Sequence, residues 1–384
     1  MMAIDRDYLV RICQGLVRID SVNPILVPGA PGERAIGEYV ADELAALGLE
    51  VRCHEPEPGR ISVTGRLAGT GGGRSLMLNA HYDTVGVEGM ATPFSGEVRD
   101  GRLYGRGAYD MKGSLAACLA AAKALRDTGV RLRGDVLIAA VADEEYGSIG
   151  TADLVTHTRT DAAIVTEPTA LAVCLAHKGY CWIEVRTEGR AAHGSRFTEG
   201  IDANMRMGRF LVALEGLERD LRARPPHPLV GPPSLHAALL QGGAGLSTYA
   251  PSCTLQIERR TVPGETEAQV MQEIQALIDR LAADDPTFKA AARCFFTREP
   301  FEVPRDAGIV RALSGAVSHT TGATPRYVGD TPWMDSALLA AAGIETVVFG
   351  PGGAGAHADV EWVDVESMAQ CATVLAQAAV EYCG

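Results

Sequence analysis

The sequence has few aromatic residues, fewer basic than acidic residues, and no cysteine pair of the CxxC type. Phe, Trp and Tyr make up 5% of the 384 residues, which disfavours an aromatic-rich β-sandwich. Lys and Arg number 35 against 48 Asp and Glu, so the formal net charge is -13. No basic stripe offsets this charge, and such a chain repels nucleic acid and anionic lipid. We therefore expect neither nucleic acid nor a membrane as a partner.

Long apolar runs are also lacking. The most apolar helical stretch, residues 115–125, contains Lys123 and is too short to cross a bilayer. Ile4-Asp5-Arg6-Asp7 is charged at once, unlike a secretory signal. The nine cysteines are scattered and odd in number, which disfavours a disulfide framework or a zinc–thiolate site. We expect a cytoplasmic protein whose thiols are reduced and mostly buried.

Apolar residues, by contrast, are plentiful at 47%, and the length favours two domains. Strand-like runs alternate with amphipathic helices in the first part of the chain. The predicted helices are 32–47 and 114–126, and the predicted strands are 51–53, 61–67, 76–80, 136–141 and 162–165. This alternation predicts an α/β domain with a mixed sheet covered by helices on both faces.

The pattern changes between residues 177 and 296, where strands and helices follow the order β-α-β-β-α-β. That order is typical of a ferredoxin-like α+β unit, which can fold by itself. After it the α/β pattern resumes, with helices predicted at 307–317, 334–342 and 365–380 around a strand at 345–349. We therefore predict a first domain split into 1–176 and 297–384, with residues 177–296 inserted as a second domain.

Acids and imidazoles follow the predicted strands, where the sites of α/β sheets commonly lie. Alone, each has a simpler explanation: His81-Tyr82-Asp83 can arise by chance, and Asp110 can be a helix N-cap. Three consecutive acids after a buried strand are harder to explain, because like charges are costly to bury without a cation. Together they indicate a catalytic site for Zn, Co or Mn without thiolate ligands. The candidates are His81, Asp83, Asp110, Glu144, Glu145, Glu167 and His357.

The order of these motifs resembles the metallopeptidase and deacylase family of acetylornithine deacetylase, succinyl-diaminopimelate desuccinylase, carboxypeptidase G and the aminoacylases. The resemblance extends from Asp20-Ser21-Val22-Asn23-Pro24 to His357. It implies two divalent metal ions, with zinc first and cobalt or manganese as alternatives. His81 and Glu167 would complete one metal site, Glu145 and His357 the other. Asp110 would bridge the two, followed by a cis peptide.

The resemblance also implies roles for residues that do not bind metal. Asp83 would orient His81, and Glu144 would be the general base toward a metal-activated water. In the inserted domain, Gly189-Arg190-Ala191-Ala192-His193-Gly194-Ser195 resembles the family's lid motif. His193 would donate to the oxyanion of the reacting carbonyl, in related dimers from the partner subunit. The inserted domain would thus be a lid and a homodimerisation domain.

A further motif concerns substrate binding. Arg260, ahead of Val262-Pro263-Gly264-Glu265, takes the position that holds a substrate carboxylate in the family, whereas Arg259 is expected to be a surface charge. The chain departs from the family at Thr248, where an Asn is common, so we expect altered substrate contacts there.

The resemblance therefore implies a binuclear metal-dependent hydrolase that cleaves the amide bond of a small N-acyl amino acid. A dipeptidase or carboxypeptidase of the same family is the alternative. A non-catalytic dimeric binding protein of this fold is a further one. The residues themselves do not choose the acyl group or the amino acid, because those depend on the pocket rather than the metals.

Overall fold

The computed structural model describes residues 2–384, and the chain within it forms two compact units. The first unit comprises the chain up to Leu175 together with Val303–Val328 and Met334–Gly384. The second comprises Ala176–Glu302 and Gly329–Trp333. The second unit thus extends beyond residue 296, because Arg298 still pairs with Tyr180 and Phe301 pairs with His177.

The described residues contain helices and strands of ordinary length. The helices are α1 Arg6–Arg18, α2 Arg34–Ala46, α3 Gly113–Asp127, α4 Ile149–His157, α5 Ala203–Ala223, α6 Glu267–Asp284, α7 Gly308–Thr321, α8 Ser336–Ala341 and α9 Val365–Cys383. The strands are β1 Glu50–Glu57, β2 Arg60–Leu67, β3 Leu76–His81, β4 Glu97–Arg99, β5 Arg102–Tyr104, β6 Val136–Val141, β7 Ala162–Val165, β8 Val173–His177, β9 Gly179–Glu188, β10 Ser234–Gly242, β11 Ser252–Thr261, β12 Lys289–Arg298, β13 Phe301–Glu302, β14 Tyr327–Asp330, β15 Glu345–Val348, β16 Gly353–Ala354 and β17 Trp362–Asp364.

The first unit is built on a mixed sheet with the strand order β1-β2-β6-β3-β7-β15-β8. Strands β6, β3, β7 and β15 run parallel to one another, and β1, β2 and β8 pair antiparallel. The residues of β3 and β6 are buried throughout, as expected for central strands covered on both faces. The predicted mixed α/β class is confirmed.

Local signals explain where the helices of this unit begin. The Asp5 carboxylate accepts the backbone N–H of Tyr8 at the start of α1, and Asp364 does the same for Ser367 at the start of α9. Helix α9 packs against α3 and α7. At its end the Cys383 carbonyl accepts the backbone N–H groups of Arg133 and Gly134. The C-terminal helix is therefore an integral part of this unit.

The second unit contains a four-stranded antiparallel sheet in the order β10-β11-β9-β12. Burial alternates along β11, so that Leu255 and Ile257 face the core it shares with α5 and α6. A capping box of Thr266 and Gln269 starts α6. The chain order β9-α5-β10-β11-α6-β12 is the predicted β-α-β-β-α-β order.

Other features complete the description of the fold. A small antiparallel sheet in the order β16-β17-β5-β4 belongs to the first unit. The peptide bond between Asp110 and Met111 is cis, as the family resemblance implies. Within the part of the chain that the structure describes, no helix is both long and apolar enough to cross a membrane.

Candidate metal centre

The candidate site lies where parallel strands of the first unit end. His81 is the last residue of β3, the turn with Glu144 and Glu145 follows β6, and Glu167 follows β7. His81 lies opposite Val141, and Asn79 lies opposite Val165, so the three strands end at nearly the same level. Because neighbouring parallel strands end at one edge of a sheet, their polar side chains converge there.

His81 is the centre of this cluster. Its Nε2 lies 3.2 Å from Asp110 Oδ1, 3.5 Å from Glu167 Oε1 and 3.9 Å from Glu144 Oε2. Donor atoms of His81, Glu144 and Glu167 lie within 4.8 Å of one another, as do those of His81, Asp110 and Glu145. The His81 side chain is 1% exposed, so these carboxylates surround an almost fully buried ring.

His357 joins the cluster from the glycine-rich loop after β15. Its Nε2 lies 3.0 Å from Glu145 Oε2 and 3.5 Å from Asp110 Oδ2. The two oxygens of Asp110 thus face different imidazoles, Oδ1 toward His81 and Oδ2 toward His357. A carboxylate between two imidazoles, flanked by Glu145 and Glu167, has the layout of a group shared between two cation positions.

Burial and mutual proximity perturb the protonation of these groups. Burial raises the pKa of Glu144 and of Glu167, and it raises the pKa of Glu145 together with the neighbouring charge of Asp110. Hydrogen bonds to Asp110 and Glu145 raise the pKa of His357 to about 10. Without a cation, side chains of this cluster therefore tend to be protonated, and a metal ion would displace those protons.

The composition of the cluster provides a test of fit for a metal. It contains imidazole nitrogens and carboxylate oxygens and no thiolate, a donor set suited to Zn, Co or Mn. Four acidic side chains crowded around buried His81 are costly unless positive charge compensates them. The residues present therefore fit a pair of divalent cations.

Asp83 holds the turn that carries Glu144 and Glu145. Its carboxylate accepts Asn23 Nδ2 at 2.9 Å and the backbone N–H groups of Glu144 and Glu145 at 3.0 and 3.2 Å. The Nδ1 of His81 lies 3.1 Å from the main-chain carbonyl of Asp83 and 3.5 Å from its carboxylate. The nearest acceptor for the imidazole is therefore the Asp83 carbonyl, and the carboxylate mainly fixes the turn that carries the two glutamates.

A buried ionic network, which the sequence pattern did not predict, extends this support. Asn23 also donates to Asp143 Oδ1 at 2.9 Å, and Arg60 binds that same oxygen at 2.6 Å. Arg60 further binds Glu33 through two hydrogen bonds of 2.7 Å. The available signal was Asn23 itself, because an amide in the Ser-Val-Asn-Pro segment can bond two carboxylates at once.

Glu361 is a second supporting residue that the sequence pattern did not predict. Its buried carboxylate accepts Arg106 Nη1 at 2.7 Å and the backbone N–H groups of Gly107, Tyr109 and Asp110 at 2.9 to 3.0 Å. It thereby holds the segment that presents Asp110. Asp110 lies 251 positions before Glu361 in the chain, so no local sequence pattern indicated this contact.

The remaining predicted site residues belong to the second unit. The exposed His193 places Nδ1 2.8 Å from Ser195 Oγ, and its backbone forms an isolated bridge with Thr248. Arg260 has a side chain that is 33% exposed, donates from Nε to Glu258 at 2.6 Å, and stacks over Tyr180. The hydrogen bond to Glu258 thus uses Nε of the guanidinium group.

The expectation that Arg259 is a surface charge is wrong. Its side chain is 1% exposed and pairs with Glu265 at 2.6 Å and with Glu273 at 3.5 Å. The reason is the alternation along β11, which turns every second residue toward the buried face. Two glutamates then compensate the charge that this register buries.

Comparison with known proteins agrees with this architecture. Residues 77–381 match the family model described as peptidase family M20/M25/M40. The chain is 33% identical over 332 residues to an acetylornithine deacetylase from Myxococcus xanthus, covering 85% of each chain. It is 28% identical to the N-formyl-4-amino-5-aminomethyl-2-methylpyrimidine deformylase of Bacillus subtilis, covering 98% of this chain and 95% of that one.

Solved structures show the same fold at low sequence identity. A tripeptidase from Staphylococcus aureus superposes with a TM-score of 0.79 at 19% identity, covering 99% of both chains. A protein from Bacillus subtilis, described as a dinuclear metal-binding peptidase from the M20 family, gives 0.76 at 16% identity over 98% of this chain and 97% of that one.

Proposed function

The chain belongs to peptidase family M20/M25/M40, and we propose that it hydrolyses the N-acyl amide bond of a small amino-acid derivative. Metal-dependent hydrolysis is the chemistry of this family, and the substrate is the part that we propose. The observation that carries the proposal is Asp110, whose two oxygens face His81 and His357 among further acids.

We propose that two divalent cations occupy this cluster, with zinc first and cobalt or manganese as alternatives. His81 and Glu167 would hold one ion, Glu145 and His357 the other, and Asp110 both. When bound, such a pair supplies Lewis-acid activation of a water molecule and of the scissile carbonyl. The dinuclear peptidase from Bacillus subtilis, which has the same fold, supports the number of ions.

Glu144 is the proposed general base. Its side chain is 11% exposed, and its backbone N–H is fixed by Asp83 at 3.0 Å. Burial raises the pKa of Glu144, which brings this carboxylate nearer to the range in which it can accept and return a proton. The carboxylate would take the proton of the attacking water and deliver it to the leaving nitrogen.

The second unit would supply substrate contacts. Arg260 has its terminal nitrogens free of Glu258, so its guanidinium can bind a substrate carboxylate in bidentate fashion. His193, exposed on its loop, would donate to the oxyanion formed from the carbonyl. Thr248 pairs with His193 through the backbone, so the substitution of Asn by Thr bears on the side-chain contacts beside this histidine.

We further propose a homodimer formed through the second unit. Strand β10 is an edge strand of its sheet, and Leu239 and Leu240 on it are 66% and 57% exposed. Val212 on α5 is 70% exposed. An unpaired edge with exposed apolar side chains favours pairing with a second copy. All nine cysteines are free, which suits the reducing cytoplasm that we propose as the location.

Deacylation is preferred over peptidase action because of the sequence relatives. The acetylornithine deacetylase and the deformylase both remove an acyl group from nitrogen by their names, and both match most of this chain. A dipeptidase or carboxypeptidase is the alternative, since peptidases share the fold. A screen of N-acetyl and N-formyl amino acids against dipeptides, with metal-loaded protein, decides between them. Faster hydrolysis of the dipeptides would refute deacylation.

Two further measurements test the mechanism. Glu144→Ala should lower kcat by about 10²–10⁴-fold while metal content is retained, because the base is lost and the proposed ligands are not. Glu97→Ala, an exposed acid of the same unit, is the control and should leave kcat unchanged. Chelation should remove activity and added Zn, Co or Mn should restore it. Metal-free protein that keeps full activity, or a Glu144→Ala variant with normal kcat, contradicts the assignment.

A further inference from the structure

A second group of metal-binding side chains lies in the first unit, apart from the proposed catalytic cluster. It consists of His54 on β1 and of Asp153 and His157 on α4, whose donor atoms lie within 4.8 Å of one another. Glu145 precedes α4, whereas Asp153 lies in the middle of that helix and His157 is its last residue. No step of the proposed hydrolysis uses these three side chains.

The secondary structure brings the three side chains together. Asp153 and His157 are four residues apart on α4 and so share one face of the helix. The Oδ2 of Asp153 lies 3.9 Å from Nδ1 of His157. His54 approaches from β1, with its ring stacked on that of His157 at a centroid distance of 4.4 Å and an interplanar angle of 25°. Two elements thus contribute to one donor group.

Neighbouring hydroxyl groups can orient both rings. Thr64 Oγ1 lies 3.3 Å from His54 Nε2, and Thr156 Oγ1 lies 3.2 Å from His157 Nδ1. The Thr64 oxygen can accept the Nε2–H of His54, which leaves the lone pair on Nδ1 of that ring for a metal ion. Burial and the neighbouring His157 lower the pKa of His54, which favours the neutral ring that a metal ion binds.

We propose that His54, Asp153 and His157 form a binding site for one borderline divalent cation such as Zn²⁺, Ni²⁺ or Co²⁺. Two imidazoles and one carboxylate suit these ions, and a water molecule completes the coordination. Tetrahedral zinc needs donor atoms about 3.4 Å apart and must lie in the plane of each bound ring. On binding, the two imidazoles therefore turn out of their present stack, and the donor atoms close by about 1 Å from their limit of 4.8 Å. About a third of the side-chain surface of Asp153 and of His157 is exposed, so the ion can enter from solvent. Bound there, it cross-links β1 to α4.

The test counts metal ions and does not depend on catalysis. Full-length protein is dialysed against excess Zn²⁺ at pH 7.5, and bound zinc is measured by elemental analysis. We expect one more zinc per chain in the wild type than in His54→Ala or His157→Ala. His319→Ala, which removes an exposed histidine of the same unit, is the matched control and should bind the wild-type number. Equal zinc content in the wild type and both site variants overturns the proposal.

A second measurement covers the case in which a variant folds poorly. Titration of the wild type with Ni²⁺, followed by NMR of the imidazole C–H signals, should broaden the signals of His54 and His157 together at one further equivalent. Asp153→Asn, which preserves the shape of the side chain, should weaken this binding by about 10-fold or more while kcat is unchanged. If the two histidines respond at different Ni²⁺ levels, or do not respond, they do not share an ion.

Discussion

The most demanding prediction concerns Glu361, which holds the segment carrying Asp110. Its Oε2 accepts Arg106 and Gly107, and its Oε1 accepts Tyr109 and Asp110. In Glu361→Gln one oxygen becomes an NH₂ group, which cannot accept, and the charge opposite Arg106 disappears. The Arg106 and Glu361 side chains are 3% and 1% exposed, so the unpaired arginine stays buried.

The size of the effect follows from this burial. Breaking a buried ion pair by removing one partner costs about 3–5 kcal/mol, because the remaining charge is not compensated. We therefore expect Glu361→Gln to lower the free energy of unfolding by about that amount, measured by urea denaturation of metal-free protein. Glu366→Gln is the control, since Glu366 pairs with Arg6 and both side chains are more than half exposed. Its cost should be about 0–1 kcal/mol.

Two readouts separate a positioning role from loss of stability alone. Because Asp110 loses the acceptor of its backbone N–H, metal affinity should fall by roughly 10–100-fold in Glu361→Gln. In the double variant with Arg106→Met no buried charge is left unpaired, so its cost should be smaller than the sum of the single costs by about 0.5–3 kcal/mol. A Glu361→Gln protein as stable as Glu366→Gln, with normal metal affinity, refutes this reasoning.

Three further predictions follow from other parts of the fold. Asn23→Asp places a third carboxylate against those of Asp83 and Asp143, to which the Asn23 amide now donates. The free energy of unfolding, measured by urea denaturation, should fall by about 1–3 kcal/mol. An unchanged denaturation midpoint would argue against that network. Cys53 is the exposed cysteine, whereas burial raises the pKa of Cys13 to about 12. A thiol reagent at pH 8 should therefore find one fast-reacting thiol per folded chain, and Cys53→Ser should remove it. Several fast-reacting thiols would contradict the burial pattern. Phe210→Ala empties part of the core of the second unit and should lower its free energy of unfolding by about 3–5 kcal/mol. Amide hydrogen exchange in β9 and β11 should then be faster. Unchanged exchange would show that this core does not depend on the Phe210 ring.

Hydrophobic periodicity predicted the parts of the fold in which burial follows a regular pattern. The uniformly apolar run 136–141 became the central strand β6, and the segment 177–296 contained the β-α-β-β-α-β order. Helix α4 was not predicted, because only a few of its residues, such as Leu154, are buried and its apolar face is narrow. Strand β8 was also missed, since it lies among residues whose pattern does not separate it from β9.

The candidate site was predictable only in part. Acids at strand ends could be recognised, because in a parallel sheet their position along the chain determines the edge on which they lie. The support of Asp110 by Glu361 could not be recognised from the sequence, because 250 residues and several helices and strands separate the two. Arg259 shows the same limit: strand register buried it, and the two glutamates that make this tolerable come from the loop before α6 and from α6 itself.

The hydrogen bonds from Arg133 and Gly134 to the Cys383 carbonyl have a consequence for the order of folding during synthesis. The loop before β6 finds this acceptor only after Cys383 has left the ribosome, and α3 packs against α9 only at the same late stage. The sheet and helices of the second unit come from one continuous segment that is made earlier. The inserted unit can therefore complete its own core first, whereas the unit with the candidate metal site is completed only after α9 has been synthesised.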